Sequence, residues 1–184
     1  MLLPACNRNP GAYDAFNQAD CLRSIDLTDQ SGRRVNLASL KGKPVMVDFI
    51  YTTCPGECLM LTQKMARVAS RTRGDLTIVS ITVDPEHDGP AQLAAYAKDR
   101  GIDDPRWLFL TGAPANIDRV LNDFQLRRKR APDGSIEHIT GVFMLGPDGH
   151  EVREYDGRAV KASTIVDDVE HLLSQTGATA PAGQ

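Results

Sequence analysis

Two cysteines, Cys54 and Cys58, end an apolar run in the stretch DFIYTTCPGECLMLTQKMARV, which covers residues 48–68. Thiols at this spacing could form a structural disulfide, exchange disulfides with a partner or hold a metal ion. The thiolate is the reactive form in the last two cases. The spacing alone does not choose among these uses, so the elements that position the two thiols have to be considered.

The predicted elements around the pair favour an exposed and reactive site. Val45–Tyr51 is a nearly continuous apolar run, which predicts a strand buried on both faces. A helix is predicted to begin at Cys54 and to end near Thr72, with Pro55 at its first position. Both sulfurs would then emerge on one side of the first turn, where free N–H groups and the helix dipole favour thiolates. This turn falls at the carboxyl edge of the sheet, where open α/β sheets place their ligands.

A histidine is predicted to enter the same site from the opposite side. His138 lies in the stretch SIEHITGVFML, just before a predicted strand that faces the dithiol. Thioredoxin-type reductases space their thiols C-x-x-C and carry a cis-proline at about this point, where this chain has Thr140 or a neighbour. Two thiolates and one imidazole form a soft donor set that suits Cu(I), and Cu(II) with a further weak ligand. Zinc tolerates the same donors but usually takes a fourth in a structural site.

The order of the predicted elements gives the fold class. Three strands alternate with helices and are followed by a hairpin and a closing helix, which predicts an α/β fold with a central mixed sheet flanked by helices. A dithiol in the turn after the first buried strand makes this the thioredoxin-like fold. We expect a tether over residues 1–24, one domain over residues 25–176 and a flexible tail over residues 177–184. The other predicted strands and helices cover residues 76–83, 89–100, 107–110, 115–124, 140–145, 151–155 and 164–173.

Charge and hydropathy limit the partners. The formal net charge of −3 gives no reason to expect nucleic-acid binding. One basic cluster, Arg127–Arg130, is interpreted as a solvated loop or helix end, with a docking patch for an acidic partner as the alternative. No stretch approaches the roughly 18 apolar residues of a membrane span.

The first residues suggest a membrane anchor of another kind. Leu3–Cys6 resembles the end of a bacterial lipoprotein signal, which makes Cys6 a candidate lipidation site and implies an oxidising compartment. Cys21 is expected to be a bystander rather than a disulfide partner of Cys6.

With these features together, the chain resembles the Sco/SenC family of copper-binding assembly factors of cytochrome c oxidase. The resemblance spans about residues 25–173 and rests on LKGKPVMVDFIYTTCPGEC, VSITVDPEHDGPAQLAAYA and EHITGVFMLGPDGHEVREY. It implies a thioredoxin-like fold, copper bound by Cys54, Cys58 and His138, and a redox-active cysteine pair. It also implies anchoring on the periplasmic side of the inner membrane. The implied partners are the oxidase subunit with the dinuclear copper site and another periplasmic copper carrier.

Two positions depart from the family pattern. Many members have Asp at the third position of the cysteine motif and Pro directly after it, where this chain has Gly56 and Leu59. The three donors are retained, so the departures bear on partner choice rather than on copper binding. Asp84, which follows the second buried strand, is predicted to orient the site or to meet a partner. The alternative for Asp84 is a carboxylate that caps the turn before Pro85.

Copper metallochaperone is the leading hypothesis, with copper passed by ligand exchange to a cysteine-containing client. An extracytoplasmic thiol–disulfide oxidoreductase is the main alternative, with Cys54 as the attacking thiolate and Cys58 as the resolving thiol. A redox or copper sensor remains open. A peroxidase is the weakest alternative, because Thr52 is available near the cysteines but no clear arginine is.

Overall fold

The computed structural model describes residues 20–54, 56–72, 74–132, 135–137 and 140–175, except for the side chain of Glu57. Nine strands and four helices are assigned over this part of the chain. The strands are β1 (Asp26–Asp29), β2 (Arg34–Asn36), β3 (Val45–Ile50), β4 (Thr77–Thr82), β5 (Trp107–Thr111), β6 (Lys129–Arg130), β7 (Ile136–Glu137), β8 (Gly141–Leu145) and β9 (Glu151–Asp156). The helices are α1 (Glu57–Arg71), α2 (Pro90–Asp99), α3 (Pro114–Asp123) and α4 (Ala162–Gln175).

A mixed seven-stranded sheet forms the centre of the fold, with the strand order β2-β1-β5-β4-β3-β8-β9. The parallel strands β3, β4 and β5 lie in the middle, and β3 also pairs antiparallel with β8. Every residue of β3 and β4 is buried, because helices cover central parallel strands on both faces. The predicted α/β thioredoxin-like architecture with a single domain is therefore confirmed.

The loops that follow β3 and β4 open at the carboxyl edge of the sheet. Parallel pairing places Ile50 opposite Thr82, so the two loops begin side by side. The first loop carries the cysteine pair and the second carries Asp84. The register thus brings together two segments that sequence analysis selected separately.

Helix α1 begins later than predicted. The backbone N–H of Cys54 donates to the carbonyl of Tyr51 at 3.2 Å, which closes a separate turn before the helix. Helix α1 itself starts at Glu57. Among the described residues, its first backbone hydrogen bond is donated by the Met60 N–H to the Gly56 carbonyl at 3.2 Å. The prediction that the helix starts at Cys54 was wrong, and Cys54 belongs to the preceding loop. Pro55, predicted at the first helical position, lies outside the described residues.

The start of the described chain packs on the domain. Cys21 and Leu22 are each 1% exposed, and Arg23 forms an ion pair with Asp123 at the end of α3. The rest of the expected tether, residues 1–19, and the expected tail, residues 177–184, lie outside the described residues, as does residue 176. Among the helices that the structure describes, none combines the length and the apolar composition that crossing a membrane requires.

Candidate functional site

The two cysteines of the motif are free thiols held next to each other at the start of α1. Cys54 is half-buried in the loop after β3, and Cys58 is the second residue of the helix and is buried. The backbone N–H of Cys58 donates to Cys54 Sγ at 3.3 Å. An N–H at the beginning of a helix has no partner within the helix, so the Cys54 sulfur accepts a donor that would otherwise be unsatisfied.

The two thiols differ in their surroundings. Burial raises the pKa of the Cys58 thiol well above its ordinary value, and a hydrogen bond with Cys54 raises it further. A hydrogen bond with the Tyr51 backbone offsets this only in part. The expectation that the helix start favours a thiolate at both sulfurs is therefore wrong for Cys58, since core packing outweighs the helix terminus there. The pair consists of an accessible sulfur and a buried one.

Tyr51 is a site residue that sequence analysis missed. Burial raises its pKa to about 12, with further contributions from the charge of Cys54 and from a hydrogen bond between the two side chains. A hydrogen bond with the backbone of Ile136 acts in the opposite direction. The phenol therefore links the accessible cysteine to strand β7. Its position at the end of a buried strand, three residues before Cys54, was the only available signal in the sequence.

A buried carboxylate, Asp88, fixes the loop that carries the cysteines. It accepts hydrogen bonds from the Thr52 backbone N–H at 2.9 Å and from the Thr52 hydroxyl at 2.5 Å. The hydroxyl of Thr82, the last residue of β4, donates to the same carboxylate at 2.6 Å and accepts the Asp84 N–H at 2.9 Å. The loops after β3 and β4 are thus cross-linked by one polar network. Asp88 was not selected from the sequence.

Asp84 is buried at the edge of this network, and its carboxylate contacts the side chains of His87 and Arg130. Its Oδ1 accepts from Arg130 Nη2 at 2.5 Å and contacts His87 Nδ1 at 2.8 Å. Burial on its own would raise the pKa of Asp84, but the hydrogen bonds with His87 and Arg130 outweigh burial and lower it. Asp84 is therefore a paired carboxylate that connects its loop to strand β6. The turn-capping alternative does not account for these side-chain contacts.

The basic cluster Arg127–Arg130 is partly neutralised within the chain. Arg128 pairs with Glu86 at 2.7 Å and with Asp118 at 2.8 Å, and its side chain is 15% exposed. Arg130 pairs with Asp84, whereas Arg127 and Lys129 are exposed. Half of the cluster therefore serves internal contacts.

A further buried acidic side chain, Asp48, lies below the site in the core. Asp48 of β3 accepts a hydrogen bond from Ser80 Oγ at 2.5 Å, and Trp107 Nε1 donates to that same hydroxyl at 2.9 Å. Its other oxygen, Oδ2, has no hydrogen-bond partner among the described residues. Burial raises the pKa of Asp48 to about 7. Sequence analysis gave no partner for Asp48, and the structure supplies Ser80.

The structure brings Cys54 and Cys58 together, whereas His138 and Cys6 lie outside the described residues. Within the described part of the chain, no group of three or more His, Cys, Asp or Glu side chains could hold a metal ion. The three-donor site therefore stays a prediction. Cys21 is disulfide-bonded, which corrects the expectation that it is a bystander, and its partner lies outside the described residues.

Comparisons with known proteins agree with this site and fold. The family model described as SCO1/SenC matches residues 14–174. The SCO1 protein homolog of Bacillus subtilis (strain 168) is 34% identical over 136 residues, with 70% of each chain covered. The mitochondrial SCO2 homolog of Bos taurus is longer. It is 31% identical over 160 residues, and the match covers 82% of this chain but only 59% of that protein.

Solved structures give the same result. Copper-bound ScoI from Arabidopsis thaliana has a TM-score of 0.74 at 26% identity, covering 82% of this chain and 96% of that one. A SCO1/SenC family lipoprotein from Bacillus anthracis str. Ames has a TM-score of 0.76 at 29% identity, with coverages of 82% and 94%. BsSco, a member of the Sco family of cytochrome c oxidase assembly proteins with a disulfide switch, has a TM-score of 0.70 at 29% identity, with coverages of 83% and 93%.

Neighbours with copper bound, or described as oxidase assembly proteins, share the fold and the order of elements found here. The sequence match extends over all of the strands and almost to the end of α4. The chain belongs to the SCO1/SenC family.

Proposed function

We propose that this protein is a copper metallochaperone that binds copper through Cys54, Cys58 and His138 and delivers it during cytochrome c oxidase assembly. One observation carries the proposal: two thiols that are not disulfide-bonded lie next to each other at an open sheet edge, Cys54 in the loop after β3 and Cys58 in the first turn of α1, with the Cys58 N–H directed at Cys54 Sγ. Soft sulfur donors select copper over hard cations. Copper-bound Sco neighbours support this choice of metal.

The chain that precedes His138 reaches the dithiol. Strand β7 ends at Glu137, one residue before His138, and the backbone of Ile136 is hydrogen-bonded to Tyr51. Tyr51 in turn contacts Cys54. These contacts support the assignment of the imidazole as the third donor.

Copper is the cargo of this protein, so the site must be able to release the ion to a client as well as bind it. The asymmetry of the thiols suits this requirement, because Cys54 is accessible to an incoming ligand while Cys58 is buried. We propose transfer by ligand exchange, with a client thiolate replacing the Cys54 sulfur first. The proposed client is the oxidase subunit with the dinuclear copper site, and a second periplasmic copper carrier is the proposed source.

The proposed location is the periplasmic side of the bacterial inner membrane, with an anchor at the N-terminus. The similarity to a SCO1/SenC family lipoprotein supports an anchored protein. Because Cys54 and Cys58 are not disulfide-bonded, lipidation of Cys6 and its pairing with the disulfide-bonded Cys21 exclude each other. Mass spectrometry of the N-terminal peptide from membranes of the native organism tests this. A diacylglyceryl modification on Cys6 would identify it as the anchor, whereas a disulfide between Cys6 and Cys21, or an unmodified Cys6 thiol, would refute lipidation at Cys6.

The same asymmetry favours a second candidate function, reduction of a client disulfide. Cys54 thiolate would attack the client disulfide, form a mixed disulfide and release one client thiolate. Cys58 would then give its proton to the released client thiolate and attack Cys54 Sγ, which displaces the second client thiolate and leaves a Cys54–Cys58 disulfide. Two electrons pass from this protein to the client. The disulfide switch of BsSco supports a redox role for such a pair.

Copper binding by the reduced protein, measured beside the double variant Cys54→Ser/Cys58→Ser, tests the proposal. Anaerobic Cu(I) competition against a chromophoric chelator should give one tightly bound equivalent for the wild type and none for the variant. Equal copper binding by both proteins would refute the metallochaperone assignment. Reduction of a model disulfide by the wild type without any tight copper site would instead leave the oxidoreductase function.

A further inference from the structure

The short hairpin formed by β6 and β7 is placed by charged contacts rather than by the main sheet. Each strand has two residues, with Lys129 opposite Glu137 and Arg130 opposite Ile136, and the pair forms its own two-stranded sheet. An isolated hairpin of two strands has marginal stability in water. Contacts outside the hairpin must therefore determine where it lies.

Strand β6 is attached to the loop after β4. Arg130 Nη2 donates to Asp84 Oδ1 at 2.5 Å and lies 3.9 Å from Glu86 Oε2. The neighbouring Arg128 holds Glu86 from the other side and also donates to the Val83 carbonyl at 3.3 Å. The Asp84 side chain is 4% exposed, so the Arg130–Asp84 pair is screened less than an ordinary surface ion pair.

Strand β7 is attached to the dithiol loop. The Ile136 backbone is hydrogen-bonded to the Tyr51 phenol, which contacts Cys54. The two attachments meet at one point of the hairpin, because Arg130 and Ile136 are opposite each other in the register. One cross-strand pair of the hairpin therefore makes both contacts, Arg130 with Asp84 and Ile136 with Tyr51.

We propose that Arg130 and Asp84 form a clamp that holds the β6–β7 hairpin against the loop of the cysteine pair, so that the ion pair sets how tightly the protein holds copper. This inference rests on the proposed function, because it takes His138 as the third copper donor. Arg130 acts here as a positioning residue that does not touch the metal. Replacing Arg130 can weaken copper binding by no more than it loosens the hairpin in the metal-free protein, which is about threefold for a partly exposed ion pair.

The first test uses the metal-free reduced protein and does not involve copper. Arg130→Gln should accelerate amide hydrogen exchange over residues 129–137 by about threefold, the scale expected for loss of a partly exposed, charge-assisted contact. Arg127→Gln is the matched control, since Arg127 is exposed and forms no ion pair with the described residues. Unchanged exchange in Arg130→Gln, or equal acceleration in both variants, would overturn the clamp.

The second test asks whether the clamp acts through His138. Cu(I) affinity is measured by anaerobic chelator competition for wild type, Arg130→Gln, His138→Ala and the double variant. Arg130→Gln should weaken copper binding by up to about threefold in the wild-type background and have no further effect in the His138→Ala background. Arg130→Lys, which keeps the charge but loses the fork of donors, should fall between wild type and Arg130→Gln.

The outcomes separate the clamp from the function on which it rests. An equal loss of affinity from Arg130→Gln in both backgrounds would show that Arg130 supports only the general structure, and this overturns the clamp. Weak binding by His138→Ala beside normal binding by Arg130→Gln would overturn the clamp and leave the copper site intact. Normal binding by His138→Ala would instead refute the three-donor site itself.

Discussion

The buried carboxylate of Asp48 makes the stability of this protein depend on pH in an unusual direction. Its pKa is raised from 3.8 to about 7 by burial. The folded state therefore keeps the Asp48 proton between about pH 4 and pH 7, while the unfolded chain has lost it. Because the unfolded state binds fewer protons in this window, this carboxyl lowers the free energy of unfolding as the pH rises.

The magnitude follows from the two pKa values. At about 1.4 kcal/mol for each tenfold change in proton affinity, they correspond to about 4 kcal/mol in total. Roughly 2–3 kcal/mol of this falls between pH 5 and pH 8, because part of the loss occurs below pH 5. Ser80 is the hydrogen-bond partner of Asp48, and the acids that sense its charge, Cys58 and Tyr96, have raised pKa values and do not titrate in this window.

Asp48→Asn should remove this dependence. We expect its free energy of unfolding, minus that of the wild type, to increase by roughly 2–3 kcal/mol from pH 5 to pH 8. Urea denaturation of the metal-free protein at four pH values measures the difference. The single tryptophan, Trp107, is 2% exposed in the core and reports unfolding by fluorescence.

Asp29→Asn is the matched control. Asp29 is also buried, but hydrogen bonds with Ser31 and Arg33 outweigh the effect of burial and lower its pKa. Its contribution to stability is present above pH 3.8 and is lost only as the pH falls through the lower folded-state value. Asp29→Asn should therefore destabilise the protein by the same amount at every pH from 5 to 8. A difference between Asp48→Asn and wild type that is also constant over this range would refute the reasoning.

Three further substitutions test local packing and the site. Gly157→Ala should destabilise the fold by about 2 kcal/mol in thermal or urea unfolding. The reason is that an added Cβ would lie 2.3 Å from the Thr140 carbonyl oxygen, and unchanged stability would contradict this contact. Gly56→Asp should leave stability within about 0.5 kcal/mol, since a Cβ there meets nothing within 4 Å; a larger loss would show that the loop is closed at this point. Tyr51→Phe should shift the midpoint potential of the Cys54–Cys58 couple in thiol–disulfide titrations, because it removes a hydrogen bond to Cys54. An unchanged potential would argue against that contact.

The central fold could be predicted because its signal is local. Val45–Ile50 and Thr77–Thr82 are buried at every position, so burial on both faces appears in the sequence as continuous apolar runs. Strand β1 was missed, since it has the polar sequence DLTD and is held by its pairing with β2 and β5. The β6–β7 hairpin was missed because its strands are only two residues long.

As with the fold, the residues of the site could be predicted where the signal is local in the sequence, and not where it depends on tertiary contacts. Cys54 and Cys58 could be selected from their spacing and from the strand that precedes them, and Asp84 from its place after the next strand. The burial of Cys58 could not be predicted, because it depends on how α1 packs on the sheet. The Arg130–Asp84 pair joins residues 46 positions apart, and no periodicity in the sequence records such a contact.

Anaerobic titration of the reduced protein with Cu(II), on wild type beside His138→Ala, tests the central claim most directly. We predict one tightly bound equivalent in the wild type, with a sulfur-to-copper charge-transfer absorption band that is lost in the variant. Loose binding with the same spectrum in both proteins would contradict the three-donor site and leave Cys54 and Cys58 as a dithiol for disulfide exchange.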